Sequence, residues 1–206
     1  MNWLAHILVS KRSVDYQLGN LLADPLKGKA WPGCSSSVRD GFKMHSIIDT
    51  FTDSNAYVKK SKSRLGDRGH LRGVVIDIAY DYLLFKNWER YASIDSTSFI
   101  NQFCGEATQA IASYPERARE FVGRIIKYDV LLSYSSYAGL LTAFNRVDNR
   151  LSGRVLDRET VSGYAPVLAA QIQAIESDFR QFFPQLVAHF ASRSGLSARE
   201  HWFKSA

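Results

Sequence analysis

Two short stretches limit this chain more than anything else in it: MHSIIDTFTD (44–53) and VVIDIAYDYL (74–83). Each sets ionisable residues four apart inside an apolar pattern of helical period, His45 with Asp49 and Asp77 with Asp81. Residues at that spacing lie one above the other on a single helix face. A charge on a face meant for the core is costly unless something pairs with it. The chain must therefore bring these faces to partners, and the rest of the sequence reads as scaffolding that does so.

In the first stretch Val38, Phe42, His45, Ile48 and Asp49 follow the three-and-four spacing of a buried stripe. A private His45–Asp49 hydrogen bond would satisfy that pair by itself. In the second, Asp77 and Asp81 are like charges one turn apart, with Leu84 and Trp88 extending the same side. Two partly buried carboxylates need a cation, a shared proton or basic partners. A solvated face with Lys86 or Arg90 as ion-pair partner is one answer. A divalent metal is the more economical one, and hard oxygen ligands plus imidazole suit Mn²⁺ or Mg²⁺ better than a thiolate metal. GNLLADPLKG (19–28) adds Asn20 and Asp24, again four apart, with Asp24 fixed in front of Pro25 at a helix break. His6 lies in the apolar start MNWLAHILVS, and Asp53 continues the series 45, 49, 53.

Nearly every long segment has helical period, and no alternating strand pattern of useful length occurs. The expected class is all-α, a single-domain helical bundle. Expected helices cover about 13–27, 36–53, 70–88, 96–114, 115–129, 139–150 and 158–182, with a shorter one before Gly66, and residues 2–10 are a short apolar segment. Ser36 or Ser37 would cap the second, Pro115 would open the 115–129 helix, and Pro184 would interrupt the last. The stretch 130–138 is ambiguous, and a polar tail is expected from about residue 195. A length of 206 residues suits one domain spanning 1–206.

The charge balance narrows the partner. Lys plus Arg is 26 against 20 for Asp plus Glu, a net charge of +6. That favours an acidic partner or a phosphorylated substrate. The run KKSKSRLGDRGHLR (59–72) would offer a docking face, or simply a solvated one; it lacks the interleaved aromatics of a single-strand-binding surface. Cys34 and Cys104 stand alone, so neither a disulfide framework nor a zinc motif is expected, and a cytoplasmic setting follows. No apolar run approaches the roughly 18 residues of a membrane span, and the start has no basic leader. A glycine-rich phosphate loop and a GxSxG motif are both absent.

MNWLAH, GNLLADPLKG, MHSIIDTFTD and VIDIAYDYLLFKNW, followed by FNRVDNRLS and DFRQFFPQL, resemble the corresponding blocks of the acyl carrier protein phosphodiesterase family, in the same order along most of the chain. The resemblance implies a helical fold distantly related to the HD-domain metal-dependent phosphohydrolases. It implies an enzyme that removes the phosphopantetheine arm from holo acyl carrier protein, with Mn²⁺ (or Mg²⁺) as the metal. Position by position, it implies that Asp24, His45, Asp49, Asp77 and Asp81 form or support the metal site with His6 nearby. The chain departs from the family at Tyr82, where a histidine often follows the second aspartate.

The catalytic candidates are Asp49 and Asp81, with Asp81 as general base, and Lys43 assisting the phosphate. Arg39 or the 59–72 run would meet the acidic carrier, the charge complementarity speeding encounter. No nucleic-acid or membrane partner is expected. Two other functions stay open at this point: an HD-type phosphohydrolase acting on nucleotides, and a non-catalytic basic helical module that binds an acidic protein.

Overall fold

The periodic stripes become helices almost throughout. A computed structural model of the chain describes residues 2–194 and 202–204. Among the described residues there are eleven α-helices and no strand. They are α1 (Trp3–Leu8), α2 (Val14–Leu22), α3 (Ser36–Ser54), α4 (Ala56–Ser63), α5 (Arg72–Lys86), α6 (Ser96–Ala110), α7 (Glu116–Lys127), α8 (Val130–Ser133), α9 (Tyr137–Asp148), α10 (Gly153–Leu156) and α11 (Ala165–Ser194). Local chemistry sets several starts. The Ser35 hydroxyl accepts from the Val38 N–H and opens α3, one residue before the expected cap. Asp95 caps α6 through the Ser98 N–H, and Ser136 caps α9 through the Gly139 N–H.

α2 ends at Leu22, short of the expected 27; Ala23 is still helical, but Pro25 has no N–H with which to continue the ladder. The chain then turns through Lys27 (φ 55°) and Gly28 (φ 70°), and the Gly28 N–H closes the turn on the Ala23 carbonyl at 2.7 Å. Asp24 thus stands on a fixed turn directly after α2.

Pro184 does not interrupt the last helix: α11 runs through it to Ser194. A proline inside a helix costs about 3 kcal/mol through the lost N–H bond and the clash one turn back. Phe179, Phe182, Phe183, Leu186 and Phe190 are buried on both sides of it. Burying side chains of that size contributes about 1.5–3 kcal/mol each, which outweighs the break. The ambiguous stretch 130–138 resolves into α8 and the start of α9, separated by a short turn.

The expected polar tail falls largely outside the described residues, at 195–201. Trp202, Phe203 and Lys204 are docked: Trp202 meets Phe99 edge-on at 5.6 Å under the Arg12 guanidinium, and Phe203 pairs its backbone with Ala92.

One apolar core runs through the helices. Its tightest approach is between α2 and α3. A Cβ on Gly19 would lie 2.2 Å from the Val38 carbonyl oxygen, and one on Gly41 would lie 2.2 Å from the Tyr16 carbonyl oxygen. The two glycines let the backbones touch, and this contact places α2 against the His45 side of α3.

Candidate metal centre

His6 from α1 and His45 from α3 stack with ring centroids 4.3 Å apart and planes 21° apart. Both rings are buried. Asn20 of α2 sets their orientation. Its Nδ2 donates to the His6 carbonyl at 3.0 Å and to the Ser10 hydroxyl at 2.9 Å, so its Oδ1 is the atom facing His6 Nδ1 at 2.7 Å. The Asn20 backbone carbonyl faces His45 Nδ1 at 2.8 Å. Both partners can only accept, so both Nδ1 atoms carry the hydrogen. The two Nε2 atoms are thereby turned to the same place.

Carboxylates occupy that place. Asp49 reaches His6 Nε2 with one oxygen at 3.2 Å and His45 Nε2 with the other at 3.0 Å. Asp24 adds an oxygen 3.0 Å from His45 Nε2. The ring nitrogens are buried while the Asp49 and Asp24 side chains are 38% and 75% exposed, so the cluster opens to solvent on its acidic side.

The electrostatics follow from this wiring. Burial pulls the His45 imidazole down, but Asp24 and Asp49 outweigh it and hold its pKa up to about 9. Burial dominates at His6, and the neighbouring His45 adds to it, so its pKa falls. At Asp49 the two histidines overcome burial and keep the carboxyl well below its usual range. The His45 contact lowers Asp24 as well. An Nε2 facing a carboxylate either carries a proton or turns its lone pair on a cation. The donor set fits a cation well. Ligand atoms of His6, His45 and Asp49 lie within 4.8 Å of one another. Neighbouring ligands around an ion with bonds of about 2.1 Å sit about 3 Å apart, close to the contacts seen here. The Nδ1–H bonds to Asn20 are the outer-shell support that metal-binding histidines ordinarily have.

Asp81 goes elsewhere. It is fully buried on α5, and its two oxygens accept the Leu4 and Ala5 N–H groups at 2.8 and 3.1 Å. It caps the first turn of α1 from outside, where burial pushes its pKa up to about 7 against the pull of those two N–H groups. With both oxygens committed there, it is not placed to be the ligand or general base expected of it. Asp77, one turn earlier, does not join the histidines either; it lines a cavity beside Asp24. Lys43 is 75% exposed and pairs with Asp40, away from the cluster. Arg39 donates to the Cys34 carbonyl. Part of the 59–72 run is spent internally: Lys60 and Arg64 pair with Asp178 of α11, and Lys62 with Asp53.

The cavity beside Asp24 and Asp77 measures about 450 Å³. Trp3 of α1 with Asn2 just before it, Pro25, Arg117 and Arg124 of α7, Arg146 of α9 and Arg150 just beyond α9 form much of its wall. The arginines were not singled out from the sequence. The available signal was Arg146 and Arg150, four apart within FNRVDNRLS.

The family model described as acyl carrier protein phosphodiesterase matches residues 1–186. The chain belongs to the acyl carrier protein phosphodiesterase family. Relatives bearing that name include one from Serratia proteamaculans (strain 568), 25% identical, the match covering 91% of this chain and 96% of the relative. Another from Photorhabdus laumondii is 24% identical, covering 91% and 93%. One from Escherichia coli (strain K12 / DH10B) is 25% identical, covering 95% and 100%. No solved structure matches the chain.

Tyr82, beside Asp81 on α5, has a defined setting. Its ring packs edge-on against Tyr137 of α9, with centroids 5.9 Å apart. Tyr82 therefore makes an α5–α9 contact. Among the described residues no helix is long and apolar enough to cross a membrane.

Proposed function

We propose that the chain hydrolyses the phosphodiester that joins the phosphopantetheine arm to holo acyl carrier protein, releasing the apo carrier. The observation that carries this reading is the pair of stacked histidines, both Nε2 atoms aimed by Asn20 at Asp49 and Asp24, in a chain of this family. His6, His45, Asp49 and Asp24 would hold a divalent ion. Their mixed nitrogen and oxygen donors suit Mn²⁺ better than Mg²⁺, which prefers oxygen alone. When bound, the ion supplies charge neutralisation at the phosphate and makes water a stronger nucleophile.

The protein's own groups do the rest. Asn20 fixes both imidazoles. Asp77, which lines the cavity with Asp24, would take a proton from the attacking water. Water adds to phosphorus, the bond to the carrier's serine oxygen breaks, and that oxygen receives the proton. The cavity arginines offset the negative charge of the phosphoryl group. The net charge of +6 favours encounter with an acidic carrier.

A holo-to-apo gel shift tests this. Turnover should stop with a strong chelator and return with Mn²⁺. Activity indifferent to the chelator would refute the metal-dependent reading.

A further inference from the structure

Arg146 is unusual among the cavity arginines. Its Nη1 is buried and has no hydrogen-bond partner. A charged donor without an acceptor is unfavourable, and such a group calls for a water, an ion or a ligand to complete it. Its neighbours indicate the ligand's charge. Arg117, Arg124 and Arg150 share its cavity, and the planar guanidinium fork matches phosphate oxygens.

A second cavity, of about 500 Å³, continues from the first. The two share Trp3, Phe121, Arg124, Val130, Arg146 and Arg150 in their walls. Beside the arginines, much of the second cavity's wall is apolar. Trp3 and Phe121 pack edge-on at 5.4 Å, with Ile125 behind them and Tyr128 exposed at the rim. The joined walls therefore offer three zones: the carboxylates Asp24 and Asp77, which line the first cavity alone, the arginines Arg124, Arg146 and Arg150, which line both, and an apolar shelf. A linear phosphate ester with a weakly polar tail matches the last two zones.

We infer that the groove between α1, α7 and α9 binds the phosphopantetheine arm, with Arg146 holding its phosphate and the Trp3–Phe121 shelf holding its tail. The inference rests on the reaction proposed above for the substrate's identity. Hydrolysis turns a singly charged diester into a phosphomonoester of greater charge, so arginines in this position grip the cleaved arm more tightly than the intact one. The groove is then a product site as well as a substrate site, and free phosphopantetheine is a competitive inhibitor.

The test is calorimetric titration of the full chain, without metal, with phosphopantetheine and with pantetheine lacking the phosphate. Phosphopantetheine should bind at least tenfold more tightly. Arg146→Met should remove that preference and Arg146→Lys should restore part of it. In turnover, Arg146→Met should raise KM for the holo carrier about tenfold or more. Relief of the buried charge should leave the thermal midpoint of Arg146→Met at or above that of the parent. Should Arg146→Met misfold, Arg150→Met carries the same comparison. Equal binding of the two ligands, or an unchanged preference in the variants, overturns the inference. If holo carrier is converted while free phosphopantetheine does not bind, the groove assignment falls and the reaction stands. If phosphopantetheine binds through Arg146 while no carrier is converted, the groove stands and the reaction falls.

Discussion

Asn20 and His6 hold each other at both ends: the amide oxygen receives the ring Nδ1–H at 2.7 Å, and the amide nitrogen donates to the carbonyl of the same histidine at 3.0 Å. This double contact fixes the amide's orientation, and with it the ring atom that faces Asp49. Asn20→Ala should leave the fold intact, since the Asn20 carbonyl that serves His45 is backbone. It should weaken Mn²⁺ binding about 10–100-fold, the usual cost of losing outer-shell support. Counting free Mn²⁺ by electron paramagnetic resonance during a titration measures this. Unchanged affinity would mean that His6 is not a ligand.

Gly41 tests the α2–α3 contact. An added methyl would meet the Tyr16 carbonyl oxygen at 2.2 Å and the Asn20 nitrogen at 2.7 Å, both backbone atoms with little room to move. Gly41→Ala should lower stability by about 1–3 kcal/mol or more in urea unfolding. It should also weaken metal binding, because the helices part at the place where Asn20 meets His45. Gly105, whose added Cβ meets nothing within 4 Å, is the control; there alanine should be neutral or stabilising.

Asp81 separates a structural role from a ligand role. Asp81→Ala should cost several kcal/mol, because two buried N–H groups of α1 lose their acceptors at about 1–3 kcal/mol each. Asp81→Asn keeps one acceptor oxygen and should lose less. Mn²⁺ affinity of the folded Asp81→Asn protein should stay within a few-fold of the parent. A loss of two orders of magnitude would return Asp81 to the metal shell.

The pH dependence of the metal-free protein follows from His45. Its folded pKa of about 9 lies above the unfolded 6.5, so its stabilising effect is complete below about pH 6.5 and is lost as pH rises through about 9. His6, lowered by burial, weakens the fold only as pH falls below 6.5. Asp81, raised to about 7, contributes a loss between its unfolded 3.8 and 7, mostly below this window. The urea midpoint with chelator should therefore decline from pH 6.5 to 9. With saturating Mn²⁺ under argon the decline should vanish or reverse, because the ion takes the place of the proton. Parallel curves with and without Mn²⁺ would show that the ion does not bind at His45.

Much of this was legible in the sequence, and the limits have physical causes. The helices announced themselves through apolar period, and Asp24 through its place before Pro25. His45 and Asp49 share a face by spacing alone; His6 and Asn20 stood out in their own segments, and the structure shows how they meet that pair. The spacing of Asp77 and Asp81 said only that buried carboxylates need a partner. It did not say that the partner for Asp81 would be the first N–H groups of a helix more than seventy residues away in sequence. Pro184 read as a stop because the local rule is sound, but aromatic packing around α11 overrode it. The arginine-lined groove is assembled from α1, α7 and α9, so no single window of the chain displays it.

The most direct test is mass spectrometry of a holo acyl carrier protein after incubation with this protein and Mn²⁺, beside a parallel reaction with His45→Ala. The carrier should lose the mass of its phosphopantetheine arm with the parent and retain it with the variant, while circular dichroism shows both enzymes folded. A carrier that keeps its arm in the parent reaction, or loses it equally with His45→Ala, would contradict the account.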